Sequence, residues 1–326
     1  MRRIVAVLLM LCLFLPVTTA CGARKENDKL TVVCTVFPLY DWAREVIGDV
    51  EGVQVILLAQ NGTDMHSYQP TAEDIIRLRS CDLLIRLGGT ADGWVEDALR
   101  RAPSKTRRDL PVTELSTLVL REVSAESVAQ GHEHGHDHTD HDHHEDCAVD
   151  EHIWLSLSNA KACVFAIADG LATADAENAE RYRANGEAYA ESLSALDGEY
   201  RALAEECDQP YLVVADRFPF IYLTEEYGIG YLAAFAGCST DSSVDADTVI
   251  RLARTLDERA LGVVVVTEST DGALAQSVLR ATKQGKGEVV ILDSLQSVTA
   301  KQLEEGKTYL QTMRDNLTAL RRILLP

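Results

Sequence analysis

Apolar residues in this chain fall in short runs that alternate with stretches of helical spacing. The first-half runs are LTVVCTVF (30–37), VQVILL (53–58) and DLLIRL (82–87). They are short, rich in branched residues and bounded by polar turns, which predicts strands. YDWAREVIGD and TAEDIIRLRS carry helical spacing, and Thr71 with Asp74 three residues on reads as a capping box that fixes a helix start. The second half repeats the pattern with YLVVAD (211–216), GYLAAF (230–235), GVVVVTE (262–268) and EVVILDS (288–294), separated by helical DADTVIRLARTLDERA and DGALAQSVLRATKQ. Strands alternating with helices predict an α/β protein with parallel sheets in two lobes. Between the halves, Ala179, Tyr182, Gly186, Tyr189, Leu193, Leu196, Tyr200 and Leu203 recur at steps of three and four. This stripe predicts one helix over about 176–206, roughly 45 Å long at 1.5 Å per residue. A helix of that length can brace two lobes; a hairpin helix packed on a single lobe is the alternative.

Other segments break the pattern. MRRIVAVLLMLCLFLPVTTAC has two arginines, an apolar run from Ile4 to Val17 and small residues up to Cys21, the layout of a secretion signal. Ala20-Cys21 is where a lipoprotein signal would be cut, which would leave lipid on Cys21, although Thr18 stands where leucine is commonest. The polar stretch before residue 131 leads into GHEHGHDHTDHDHHEDC (131–147), which holds His132, His134, His136, His138, His141, His143 and His144, seven of nine histidines. With almost no apolar residues to pack, it predicts a flexible loop over about 124–147. The expected organisation is a signal peptide (1–20), a lipid-anchored linker (21–29), an N-terminal lobe (30–175), a connecting helix (176–207) and a C-terminal lobe (208–326).

The formal charge of −20 excludes nucleic acid as a partner, since phosphate binding needs clustered Lys and Arg, and suits a cation. Six cysteines follow Cys21 without a C-x-x-C pair, and Cys34 with Cys81 is the disulfide to test first, against the reading of inert buried thiols.

Ligands of open α/β sheets bind beyond the carboxyl ends of the strands. His66 follows the second run, Asp216 ends YLVVA, Glu268 ends GVVVVT, Asp293 ends EVVIL, and His152 precedes the helix leading out of the first lobe. An aspartate at one strand end is commonly a cap or turn former; several such residues together point to a metal site. His66 and His152 are the two histidines outside the tract, and Asp64 and Asp150, each two residues earlier, could orient their rings.

The segments TVFPLYDWAREVIGD, NGTDMHSYQPTAEDI, DEHIWLSLSNA, DRFPFIYLTEEYGI, ILDSLQS and TYLQTMRDNLTAL resemble, in order and spacing, the metal-binding lipoproteins of zinc and manganese ABC transporters. The resemblance rests on G-x-D-x-H-x-Y-x-P together with D-x-H-x-W and covers nearly all of the chain after the signal. It implies two Rossmann-like lobes joined by a long rigid helix, with one metal in the cleft between them. His66 and His152 then correspond to ligands from the first lobe and Asp293 to the carboxylate from the second. Where zinc members usually have a third histidine, a gapless alignment puts Arg217, which is always protonated and cannot ligate. Asp216 is the expected substitute and Glu268 the fallback.

The resemblance also implies a lipid-anchored monomer outside the cytoplasmic membrane, serving an ABC permease with its cytoplasmic ATPase. It makes the tract a collector of zinc or a sensor of its excess, with a solvated linker as the bland alternative. The tract favours zinc as cargo; manganese or iron, which two imidazoles and two carboxylates also suit, is the runner-up. A secreted zinc hydrolase with Glu268 as base is the competing class, weakened by the absence of H-E-x-x-H and G-x-S-x-G. An adhesin or chaperone that merely stores metal is a third.

Overall fold

The computed structural model describes residues 29–60, 62, 65–89, 92–101, 103–104, 106–123, 148–236 and 244–325. The expected signal peptide, Cys21, Asp64 and the histidine tract lie outside these residues.

Four parallel strands form the first sheet: β1 (Leu30–Cys34), β2 (Val53–Leu57), β3 (Leu83–Arg86) and β4 (Arg108–Pro111), in the order β2-β1-β3-β4. Three helices connect them, α1 (Phe37–Ile47), α2 (Ala72–Ser80) and α3 (Gly93–Arg101). The first apolar run is divided: its strand ends at Cys34, and α1 begins at Phe37 with Pro38 in the first turn, where proline's missing N–H costs nothing. Thr71 and Asp74 form the expected reciprocal cap on α2. A two-stranded antiparallel pair, β5 (Glu122–Val123) and β6 (Ala148–Val149), then leads to α4 (Leu157–Ala174), capped by Ser156.

The long helix α5 spans Ala179–Glu206, about 42 Å of helix at 1.5 Å per residue. Its buried face is Tyr182, Gly186, Tyr189, Ala190, Leu193, Leu196, Tyr200 and Leu203, nearly the stripe read from the spacing. The N-terminal half holds the first lobe: Gly186 faces Ala168 and Val164 of α4, and Asn185 Nδ2 donates to the Val46 carbonyl of α1 at 3.0 Å. The C-terminal half holds the second lobe, with the Tyr200 hydroxyl donating to the Met313 carbonyl at 2.7 Å.

The second sheet, in the order β10-β9-β7-β8, is also parallel: β7 (Tyr211–Phe218), β8 (Gly230–Ala236), β9 (Val263–Thr267) and β10 (Glu288–Leu292). Its helices are α6 (Ile221–Tyr227), α7 (Ala246–Glu258), α8 (Ala273–Ala281), α9 (Ala300–Glu304) and α10 (Tyr309–Leu324). β7 runs two residues past Asp216, with a register shift between Val214 and Arg217. The fold is the expected α/β pair of parallel-sheet lobes with a long central helix.

One core cluster joins the lobes, running from Val32, Trp42 and Trp154 through Leu193 and Leu196 to Val265, Tyr309 and Leu320. Separate clusters cover the outer faces, Val33, Leu78 and Leu84 on the first sheet and Val213, Leu252 and Val266 on the second. Cys34 belongs to the joint core and Cys81 to the opposite face of the first sheet, and both are free thiols. The expected first pairing is therefore not made, because alternation along β1 points Cys34 away from the side where Cys81 packs.

At the junction, Asp41 of α1 is 1% exposed and accepts the Tyr309 N–H at 2.7 Å, capping α10 from the other lobe. Burial pushes its carboxyl up to about 6 from 3.8, with nearby Glu45 adding and the Tyr309 N–H and Arg44 opposing. The folded chain thus holds this proton more tightly than the unfolded chain, and stability falls as pH rises from about 4 to about 6. Asp41→Asn keeps an oxygen for Tyr309 and removes the buried charge. It should raise stability at pH 7 by up to about 2–3 kcal/mol, with the gain gone below about pH 4; urea melts at pH 7 and pH 4 check this.

Candidate metal centre

His152 stands where the chain enters a short 3₁₀ turn, Ile153–Leu155, just before α4. It is fully buried, and its Nδ1 lies 2.7 Å from Asp150 Oδ1, which also accepts the His152 N–H at 2.8 Å. Burial opposes charge on the ring, but the Asp150 carboxylate, the Gln296 side chain and Glu151 outweigh it and hold its proton affinity above that of ordinary imidazole. Its Nε2 is buried, faces the Gln296 side chain, and has no partner at full hydrogen-bond geometry. A histidine with one nitrogen on a carboxylate and the other buried and held by no strong partner is prepared to give that nitrogen to a metal.

His66 lies in a second 3₁₀ turn, Met65–Ser67, in the connection between β2 and α2. The two rings are 5.4 Å apart between centroids. Glu151, absent from the expected set, is 4% exposed, with Oε2 3.9 Å from His66 Nδ1. Its signal in the sequence was a second acid directly before His152.

The second-lobe carboxylates are adjacent through strand register. Thr267 pairs with Leu292, so Glu268 and Asp293 follow neighbouring strand ends. Burial first, and then the Asp293 charge, push the Glu268 carboxyl upward. Both Glu268 oxygens accept from Ser294, through its N–H at 2.8 Å and its hydroxyl at 2.8 and 3.0 Å. Asp293 accepts the Leu295 N–H at 2.8 Å and is paired with Lys307. Asp216 is turned onto its neighbouring strand, its Oδ2 taking the Thr267 N–H at 3.0 Å and hydroxyl at 2.5 Å while Oδ1 takes the Arg217 N–H.

The structure therefore brings His66, His152 and Asp150 together on one side and Glu268 and Asp293 on the other. The sides meet at Ser294, whose carbonyl accepts Trp154 Nε1–H at 2.8 Å, and at Gln296, whose side chain faces the His152 ring and donates to the Ser294 hydroxyl at 3.0 Å. Among the described residues, no three His, Cys, Asp or Glu side chains already converge as a ligand set. Asp64 and the tract histidines lie outside the described residues.

The family model for zinc-uptake complex component A, periplasmic, matches residues 32–323. The chain is 28% identical over 324 residues to the zinc-binding lipoprotein AdcA of Streptococcus pneumoniae TIGR4, covering 99% of this chain but 61% of that protein. It is thus shorter than such relatives, spanning under two thirds of their length. Against the high-affinity zinc uptake system protein ZnuA of Bacillus subtilis 168 it is 27% identical over 308 residues, covering 94% of this chain and 92% of that one. The crystal structure of the Zn(II)-bound ZnuA-like domain of Streptococcus pneumoniae AdcA superposes with a TM-score of 0.71 at 25% identity, covering 91% of this chain and 99% of that one.

Proposed function

We propose, on the premise that this chain belongs to the family of zinc-uptake complex component A periplasmic proteins, that it captures zinc ions outside the cytoplasmic membrane and delivers them to an ABC permease. The observation that carries this reading is the fully buried His152, its Nδ1 braced on Asp150, its Nε2 without a partner at full hydrogen-bond geometry, and its ring beside His66. Zinc is cargo here. His66 and His152 supply nitrogen from the first lobe and Asp293 a carboxylate from the second. Glu268 is the fourth donor ahead of Asp216, because its charge is crowded by Asp293 and a dication would relieve both, whereas Asp216 is bonded into the sheet. Glu268 and Asp293 must exchange their present partners for the metal.

Two imidazoles suit zinc, and the zinc-binding names of the relatives support it over manganese. The family's role is transport, which leaves the hydrolase reading without support. The permease and its cytoplasmic ATPase are the partners this role requires. Loss of high-affinity zinc uptake on deletion of the gene, restored by the wild-type chain and not by a His66→Ala, His152→Ala variant, tests the reading.

Retention at the membrane is assigned to lipid on Cys21, with more than one acyl chain needed for stable anchoring. Cys21→Ala should release the chain into the medium on cell fractionation; full retention refutes the anchor.

The tract is assigned to collecting zinc for the cleft. Removing residues 132–144 should leave one tight zinc per chain and abolish the weaker additional binding. That weaker binding should also fade near pH 6, since histidines of pKa about 6.5 must lose a proton to ligate. Calorimetry on both forms at two pH values decides it, and loss of the tight site would make the tract primary.

A further inference from the structure

Two consecutive acids precede His152, and they divide between the two histidines. Asp150 is fixed from both sides, its N–H donating to the Arg121 carbonyl at 2.8 Å and its carbonyl accepting the Tyr222 hydroxyl at 2.6 Å. From that anchored backbone its side chain reaches His152 Nδ1. Glu151 extends instead to the His66 side, with Oε2 3.9 Å from Nδ1, within ion-pair reach and longer than a hydrogen bond.

The place Glu151 occupies depends on Gly89 in the loop after β3. A Cβ built on Gly89 collides with Glu151 Oε1 and lies 3.0 Å from Cδ and 3.2 Å from Cγ. The backbone there does not demand glycine by a positive φ, so the missing side chain serves as room for the carboxylate. Burying a carboxylate costs several kcal/mol unless charge and hydrogen bonds offset it. At 4% exposure, Glu151 lies within ion-pair reach of His66 and raises the proton affinity of His152.

We propose that Glu151 is the positioning residue for His66. As metal binds, its carboxylate closes on Nδ1–H, fixes the ring, and turns Nε2 to the metal, as Asp150 does for His152. The two acids also give the first lobe two negative charges beside a dication, so that lobe can hold zinc before the second closes on it. This inference rests on the two histidines being zinc ligands.

The test compares Glu151→Gln, Gly89→Ala and His66→Ala in the chain lacking residues 132–144, with zinc affinity measured by chelator competition. Glu151→Gln preserves size and should weaken zinc about tenfold to hundredfold, the usual effect of losing such an outer partner, while the melting temperature of the zinc-free chain stays near wild type. Gly89→Ala leaves Glu151 in the sequence and pushes its carboxylate away, so it should weaken zinc similarly, and the double variant should be no weaker than either single one. Zinc-edge absorption should count the same ligands in wild type and Glu151→Gln. Wild-type affinity in both variants overturns the proposal, as does loss of a zinc–oxygen contact in Glu151→Gln, which would make Glu151 a ligand. If His66→Ala also binds as wild type, the metal reading itself has failed; if His66→Ala alone is weak, only the role of Glu151 has.

Discussion

Alanine at His66 should weaken zinc by at least about a hundredfold, near 3 kcal/mol at 1.4 kcal/mol per tenfold, with little change in folding. The two rings lie 5.4 Å apart, and at that spacing one cation can take a nitrogen from each after modest side-chain rotation. Losing one deletes a ligand outright, which should exceed the tenfold to hundredfold cost typical of outer-shell partners. His66 is the cleaner of the two probes, because its side chain is 19% exposed whereas that of His152 is fully buried. His152→Ala should cost as much affinity and also leave a cavity beside Trp154, whose ring centroid is 5.3 Å away, so its zinc-free melting temperature should fall. Calorimetry and thermal melts on both variants, made without the tract, separate the effects. Less than a tenfold loss in both would remove the cleft as the metal site.

The periodic elements were legible because each has one environment along its whole length. The α5 stripe could be read residue by residue since every step of three or four returns to the same buried face. β4 escaped notice because RDLP combines two exposed charged residues with a proline on an edge strand, so no apolar run marks it. α3 is short and largely charged, with only Val95 and Ala98 buried.

The site was legible as far as residue type and strand ends carry it. His66 and His152 stood out, and Asp293 and Glu268 were placed by strand-end position. What the sequence could not carry was direction. A strand-end carboxylate can face the cleft or its neighbouring strand, and the register shift in β7 turns Asp216 onto Thr267, 51 residues away. Glu151 escaped for the same reason, since its value comes from His66 and Gly89, both more than 60 residues distant.

Among the second-lobe carboxylates, Asp293→Ala should cost the most zinc affinity, at least about a hundredfold as for any lost ligand, with Glu268→Ala next. Both stand at adjacent strand ends, and Asp293 is the charge that crowds Glu268, so a dication between them offsets a repulsion already present. Lys307 supplies the counter-charge to Asp293 in the zinc-free chain, with side chains 12% and 22% exposed. Zinc must displace that ammonium, and Lys307→Gln should therefore tighten zinc several-fold, on the order of 1 kcal/mol for a partly exposed pair. Asp216→Ala should act differently. Its three hydrogen bonds join β7 to β9 and brace the register shift in its own strand, so its loss should lower stability by about 1–3 kcal/mol while changing zinc affinity less than tenfold. Denaturant melts and chelator competition on the four variants, again without the tract, give the ranking. If Asp216→Ala loses more affinity than Asp293→Ala, Asp216 leaves Thr267 to bind the metal, and the arrangement of the second lobe proposed here is wrong.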